Sequence, residues 1–256
     1  MDRVNSQPGV ENFEHAMASV IAQFDSIIEA TSVADLFEKL EQRGLLLRID
    51  TNVEPSLYRC AIVSQAELAQ LRRITNVVRL GRVRSIEPTR LTLEQGSLTA
   101  DPDTLYIDCS SSAIQPLPDV QVFDRDQVNL LMVRTCQPVF SAALIAYVES
   151  HITDAEQQNA LCRLVPLPED PTDWLRMWAV TLANAAGWRQ NEGLRAWLGS
   201  CRLNNVNAML RGVQPDDAAK MAMLKETGVK GAAAAAKLQV LLASLAKTEP
   251  TRAELA

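Results

Sequence analysis

Three polar residues that could contact a cofactor, Asp108, Cys109 and Ser110, stand at the end of a short apolar run. The run Thr104–Cys109 predicts a strand buried inside a larger sheet. One interpretation is a core strand followed by a serine-rich turn. The other is a strand whose carboxyl end lies against a cofactor, because ligands of open α/β sheets bind beyond those ends. Small residues there would let a ligand approach the backbone closely.

A second group with possible chemistry is the stretch Arg134–Ala143, in which Gln137, Pro138, Phe140 and Ser141 are the candidate site residues. Proline at the first helical position leaves the next N–H groups pointing out of the helix start. Such an end attracts negative charge, so a reduced flavin, which is negative on its pyrimidine side, is a suitable ligand. The alternative interpretation is a well-capped buried helix without a ligand.

Other chemistries find little support in the sequence. Ser110 is followed by two further serines, but no G-x-S-x-G elbow surrounds them, and His15 and His151 are distant in sequence, which argues against a hydrolase. The five cysteines form no C-x-x-C pair, so we expect no metal site and mostly buried, reduced thiols. Gly228–Gly231 matches a G-x-x-G loop, but the acidic chain argues against nucleic-acid binding.

Bulk composition predicts a globular protein of the cytoplasm. The chain has 256 residues, 47% of them hydrophobic, and a formal net charge of −6, so it has room for a core and lacks a basic character. No apolar run approaches the ~20 residues of a membrane span. The polar start, residues 1–9, lacks the apolar centre of a signal peptide.

The elements that must position the candidate residues alternate between helix and strand in the first part of the chain. Capping boxes at Thr31–Asp35 and Ser64–Glu67 open helices, and Gly44 ends one before a short strand, Leu45–Asp50. Alternating polarity then predicts an antiparallel meander. Its three segments are Val77–Ile86, Arg90–Glu94 and Ser97–Thr99.

The later part of the chain is predicted to be helical. Val128–Val133 is a strand candidate, and Val139–Ser150 is a helix that is apolar on most faces and therefore buried. A proline-rich loop, residues 164–172, marks the predicted boundary between an α/β domain, 1–165, and an α-helical region, 166–256. Helices are expected at Asp173–Ala186, Asn191–Ser200, Leu203–Arg211, Pro215–Lys225 and Ala232–Ala246.

The sequence resembles the C-terminal half of bacterial FAD/NAD(P)-binding oxidoreductases, relatives of the pyridine-nucleotide-disulfide and flavin monooxygenase-like proteins. The resemblance covers about residues 5 to 243. It is carried by Asn5–Gly9 with Phe13–His15, by Asn76–Val83, by Asp103–Cys109 and above all by Gln137–Ala146.

The resemblance implies a partial FAD/NAD(P)-binding-type sheet in which Leu105–Cys109 returns the chain to the FAD domain. Asp108, Cys109 and Ser110 would then lie near FAD, and Gln137–Ser141 would begin the helix beside the isoalloxazine ring. NAD(P)H would pass hydride to the flavin, and the protein would position both. No catalytic residue is assigned.

One departure from that family is large, because the sequence contains no G-x-G-x-x-G loop to hold the FAD pyrophosphate. We therefore expect the chain alone to bind FAD weakly or not at all. It would be a gene fragment, a chain with a misassigned start, half of a split protein, or a reduced descendant with another role. The partner would be an N-terminal half or a separate chain that carries the loops. The alternative function is a non-catalytic assembly module.

Overall fold

The computed structural model describes residues 9–55, 57–58, 60–110 and 120–246. Over these residues the fold is a mixture of helices and small antiparallel sheets, as predicted in outline. The helices are α1 (Phe13–Glu29), α2 (Val33–Gln42), α3 (Gln65–Leu71), α4 (Pro138–His151), α5 (Ala155–Leu161), α6 (Pro171–Gln190), α7 (Glu192–Ser200), α8 (Asn205–Leu210) and α9 (Ala218–Ala246). The strands are β1 (Val83–Ile86), β2 (Arg90–Leu93), β3 (Gly96–Thr99), β4 (Phe123–Asp124) and β5 (Gln127–Val128).

The chain divides into two compact units. The first unit comprises Met1–Leu68 and Pro118–Ala256, and the second unit is Ala69–Leu117. The second unit is thus an insertion in the sequence of the first. The boundary predicted between residues 165 and 166 falls inside the first unit, where Val165 is buried in the same core as Trp174.

Both predicted capping boxes are present. Ser32 Oγ accepts a hydrogen bond from Asp35 N at 3.1 Å, and Asp35 Oδ2 accepts one from Thr31 N at 2.7 Å. Glu67 N donates to Ser64 Oγ at 3.2 Å, while Ser64 N donates to Glu67 Oε2 at 2.7 Å. These bonds satisfy N–H groups that helix starts otherwise leave unpaired.

The end of α2 is also as predicted, but the strand expected after it is absent. Gly44 has a φ of 68°, its N–H donates to Glu41 O, and Leu45 N donates to Leu40 O, which together form a Schellman motif. The predicted strand Leu45–Asp50 is wrong, because no described strand lies beside it to share backbone hydrogen bonds.

The capping carboxylate Asp35 is expected to titrate well below an ordinary aspartate. Its pKa is lowered from 3.8 to about 2, mainly by the hydrogen bond from Lys39 and then by those from Thr31. Because the pKa of Asp35 is lower in the folded state than in the unfolded state, its ionised carboxylate stabilises the fold. This contribution is complete above pH 3.8 and is lost as the pH falls through about 2. Carboxyl chemical shifts measured by NMR against pH would show this, and Asp35→Asn should abolish the transition. A normal titration near pH 4 would contradict the capping geometry.

The first core joins α1, α2, α6 and α9. Its fully buried side chains include Ile27, Leu36 and Leu175. Helix α9 is continuous, although two helices separated by Gly228–Gly231 were predicted. A Cβ atom at Gly231 would lie 3.2 Å from Phe24, so glycine lets α9 pack closely on α1.

The second core lies among α4, α5, α6 and α7 and the hairpin β4–β5. Leu144, Val148 and Leu194 have no exposed surface, which confirms that α4 is a buried helix. Trp188 lies in the same core and donates from its indole nitrogen to Leu161 O at 2.7 Å. Of the predicted strand Val128–Val133, only Val128 is in a strand.

The second unit contains the predicted meander, with β2 between β1 and β3 in an antiparallel sheet, although β1 begins at Val83 and not at the predicted Val77. The predicted buried strand Thr104–Cys109, however, is wrong: these residues have no regular secondary structure. Leu105 is 82% exposed and Ile107 is 74% exposed. A strand needs a neighbour for its backbone groups, and no described strand provides one here.

Candidate functional site

The start of α4 has the geometry predicted from the sequence. Pro138 occupies the first helical turn, the Gln137 side chain makes no capping hydrogen bond, and the first turn holds no acidic residue. Gln137 is partly exposed and Pro138 is exposed. This helix end therefore keeps its partial positive charge without a side-chain acceptor from its own residues.

Ser141 and Phe140 face inward at the same helix start. Ser141 is fully buried, its hydroxyl donates to Gln137 O at 2.8 Å, and it accepts a hydrogen bond from Val133 N at 3.1 Å. Phe140 is 2% exposed, and its ring centroid lies 5.8 Å from that of Trp188. In this conformation these two predicted site residues fix the helix start, and Gln137 and Pro138 are the accessible ones.

Arg134 lies in the stretch Arg134–Ala143 but was not among the predicted site residues, and the structure places it against this helix start. Its Cζ lies 4.7 Å from the centre of the Phe140 ring, and its Nη1 donates to Asn204 Oδ1 at 2.9 Å. Burial lowers the pKa of the guanidinium. No carboxylate of the described residues forms an ion pair with it. The groups around this partly buried cation are the Asn204 amide, the Phe140 ring and Cys201, none of which is a carboxylate, so an anionic ligand would be favourable here.

Asn184 joins the segment before α4 to α6. It is 1% exposed, and its Nδ2 donates to Val133 O and to Arg163 O, both at 2.8 Å. Its Oδ1 has no hydrogen-bond partner. No spacing in the sequence could reveal this contact, because its partners are backbone atoms 51 and 21 residues away.

Two cysteines are paired next to α4, contrary to the expectation of reduced thiols. Cys60 and Cys136 form a disulfide with a Cα–Cα distance of 6.1 Å across a sequence separation of 76 residues. Of the described free thiols, that of Cys109 is exposed, that of Cys162 is buried and that of Cys201 is partly exposed. Burial raises the pKa of Cys162 to about 12, so this thiol is unreactive at neutral pH.

The other three predicted site residues lie in the second unit. Asp108, Cys109 and Ser110 are all exposed. The hydroxyl and the backbone N–H of Ser110 donate to Asp108 Oδ1 at 2.6 and 2.8 Å, and these bonds lower the Asp108 pKa. The seven predicted residues are therefore divided between the two units, and their contact with a cofactor stays a prediction.

An open depression of about 560 Å³ lies beside the β4–β5 hairpin in the first unit. Its lining includes Arg125, Glu156 and Asn159. The Asn159 amide pairs with the backbone of Phe123, since Nδ2 donates to the carbonyl at 2.8 Å and Oδ1 accepts from the N–H at 3.0 Å. Asn159 thus supports the hairpin, and its polar atoms are used within the protein.

Two further properties concern the described residues only. Among them, no helix is both long and apolar enough to cross a membrane. Nor do three or more His, Cys, Asp or Glu side chains come together in a geometry that could hold a metal ion.

The chain is similar to three mycobacterial proteins. Uncharacterized protein Rv2000 of Mycobacterium tuberculosis (strain H37Rv), uncharacterized protein MT2056 of strain CDC 1551 and uncharacterized protein Mb2023 of Mycobacterium bovis are each 46% identical to it over 210 residues. The match covers 82% of this chain but 39% of each relative, so the chain spans about two fifths of their length. No family model matches the chain, and no solved structure matches it.

Proposed function

We propose that this chain is the C-terminal portion of a flavin-dependent, NAD(P)-linked oxidoreductase of the cytoplasm. In this proposal it supplies the helix start beside the flavin, and another polypeptide region supplies the phosphate-binding loops. The observation that carries it is the positively charged environment formed by Arg134 and the uncapped start of α4.

The chemistry of that environment suits an anionic ring system. The guanidinium is held over the Phe140 ring and fixed by Asn204, so its position is set before a ligand arrives. Burial lowers the pKa of the Arg134 guanidinium, but an ordinary arginine pKa exceeds 12, so the group remains charged at neutral pH. A reduced flavin would place negative charge beside Arg134 and the accessible Gln137 and Pro138.

The unmatched residues of the mycobacterial relatives could contain the Gly-rich loops that this chain lacks. Since 210 matched residues are 39% of each relative, each relative is about 540 residues long. The unmatched part has room for a FAD- and NAD(P)H-binding segment with Gly-rich loops. Bound FAD would transfer hydride, and residues of this chain would orient it. That Asp108, Cys109 and Ser110 also contact the flavin is part of this proposal.

Arg134→Met should weaken flavin binding about 10- to 100-fold in an assembly that binds FAD, because it removes a charge-assisted contact. The assembly to be tested is this chain co-expressed with the unmatched part of Rv2000. Flavin is measured by its visible absorbance and by fluorescence titration. Arg134→Lys should recover part of the affinity, since the positive charge is kept.

Arg176→Met is the matched control for this experiment. Arg176 is half exposed and pairs with Asp173 within α6 at 3.1 Å, so its loss removes a positive charge from another site. Flavin affinity should not change in this variant. Equal affinity for Arg134→Met and the parent protein would refute this helix start as the flavin contact, and the absence of flavin from every assembly would refute the oxidoreductase proposal.

A second candidate function is a non-catalytic assembly module. It is favoured by the exposed apolar side chains of the second unit, such as Leu105 and Ile107, which a binding surface would explain without any cofactor. Association with the partner region in the absence of flavin would support this candidate over the first.

A further inference from the structure

A tight turn, residues 134–137, joins the segment around Val133 to the start of α4. The Gln137 N–H donates to the Arg134 carbonyl at 3.4 Å, which is long for a hydrogen bond. Cys136 occupies the third position of this turn with a φ of 54°. Glycine or asparagine usually fills such a position, because a Cβ atom disfavours positive φ by roughly tenfold in population. Cys136 therefore has a backbone conformation that it would seldom adopt without a constraint.

The residues before Cys136 are fixed by other contacts. Val133 N donates to the buried Ser141 hydroxyl at 3.1 Å. The hydroxyls of Thr135 and Thr181 are hydrogen-bonded to each other. By contrast, neither the Thr135 carbonyl nor the Cys136 N–H makes a backbone hydrogen bond within the described part of the chain. The peptide between these two residues can therefore rotate without breaking one.

The disulfide with Cys60 is the covalent constraint on this backbone. Cys60 packs against the first core, which anchors its sulfur atom. The direction of the Cys136 Cα–Cβ bond depends on the φ of that residue, and a disulfide tolerates only a narrow range of such directions. Both cysteines are partly exposed, so a soluble thiol can reach the bond. Reduction would remove the constraint and let Cys136 shift toward negative φ.

We propose that the Cys60–Cys136 disulfide is a redox switch that sets the conformation of the turn before α4, and with it the affinity of this helix start for an anion. The effect on binding rests on the flavin site of the proposed function, but the change in backbone does not. In the cytoplasm of that proposal, disulfides are mostly transient or redox-sensing.

The switching reaction is thiol–disulfide exchange with a soluble dithiol. The S–S bond between Cys60 and Cys136 breaks, and their two Sγ atoms receive two electrons and two protons. The dithiol supplies both and becomes a disulfide. Exchange with a disulfide compound reverses the reaction and closes the pair again.

The oxidised form should bind the anion more tightly. With the turn fixed, Arg134 and Gln137 are in place before a ligand arrives, which lowers the entropy lost on binding. In the reduced form only the long hydrogen bond closes the turn, so Gln137 samples several positions. The guanidinium still contacts Phe140 and Asn204. We therefore expect the FAD affinity to fall about 3- to 10-fold on reduction and not to vanish.

NMR of the full chain tests the change in backbone without any flavin. The amide and α protons of one residue lie closer together at positive φ, so their NOE at Cys136 should be strong in the oxidised protein. It should weaken when dithiothreitol opens the disulfide, and it should be weak in Cys60→Ser with or without dithiothreitol. An equally strong NOE in the oxidised parent, the reduced parent and Cys60→Ser would overturn the proposal.

Cys201→Ser is the matched control for the reduction experiment. Cys201 has a free, partly exposed thiol that interacts electrostatically with Arg134. The response of the Cys136 NOE to dithiothreitol should persist in this variant, because the disulfide is intact. Loss of the response would assign it to Cys201 and overturn the switch.

Two substitutions at Cys136 connect the turn with binding. Both remove the disulfide, but Cys136→Gly permits positive φ at no steric cost, whereas Cys136→Ala does not. In the assembly of this chain with the unmatched part of Rv2000, Cys136→Gly should bind FAD about threefold more tightly than Cys136→Ala, and dithiothreitol should affect neither. Equal FAD affinity of the two variants would overturn the effect of the turn on binding. Absence of FAD from every assembly would refute the proposed function and this effect, whereas the NOE alone decides whether the disulfide switches the turn.

Discussion

Cys60→Ser is expected to lower the free energy of unfolding of the oxidised protein by about 4 kcal/mol. The disulfide with Cys136 closes a loop across a separation of 76 residues, and a loop of that length greatly restricts the unfolded chain. The loop includes the whole second unit in sequence, so the disulfide ties together the parts of the first unit that flank the insertion.

The segment that carries Cys60 is also held by packing. The ring of Tyr58 lies 4.4 Å from that of Phe37, centroid to centroid, in an edge-on arrangement. Tyr58, Cys60 and Cys136 all pack against the first core. We therefore expect the reduced protein to keep its fold while its unfolding midpoint falls.

Urea unfolding followed by tryptophan fluorescence measures the loss of unfolding free energy in Cys60→Ser. All four tryptophans lie in the first unit, which also holds the disulfide. Dithiothreitol should destabilise the parent protein by the same amount and leave Cys60→Ser unchanged. Cys109→Ser is the control, since Cys109 is exposed and unpaired. Thiol titration of the unfolded, unreduced protein gives an independent result: five free thiols would show that the disulfide does not form.

The sequence predicted local structure well where the signal is carried by neighbouring residues. The capping boxes at Ser32 and Ser64 and the stop at Gly44 depend on side chains and backbone within a few residues, and all are present. Strands depend on neighbours that are distant in sequence. Residues 104–109 have the composition of a buried strand but no described neighbour, so the prediction of burial was wrong.

The candidate site, too, could be predicted only where the signal comes from neighbouring residues. Proline at the start of α4 was visible in the sequence, because its effect is local. The contact of Arg134 with Asn204 spans 70 residues, and that of Asn184 with Val133 spans 51, so neither could be predicted from spacing. The cysteine pair was missed for the same reason, since its members are brought together only by the packing around α4.

Asn184→Asp is expected to lower the free energy of unfolding by roughly 3–5 kcal/mol at pH 7. The Asn184 amide donates to two buried carbonyl oxygens, those of Val133 and Arg163. An ionised carboxylate has no hydrogen to donate, so it would leave both oxygens without this partner and place a negative charge between them. The segment before α4 would lose its attachment to α6.

The penalty in Asn184→Asp should depend on pH in a defined direction. Burial and the two carbonyl oxygens raise the pKa of the new carboxyl in the folded state above its ordinary value of about 4. The loss of unfolding free energy relative to the parent protein is therefore smallest below pH 4 and grows as the pH rises through the raised pKa.

Two control variants isolate the effect of the charge. Asn184→Leu should be destabilised without this pH dependence. Asn205→Asp, with the same change at an exposed position, should stay within about 0.5 kcal/mol of the parent. A penalty for Asn184→Asp that is constant from pH 4 to pH 8 would contradict a buried carboxylate at this position.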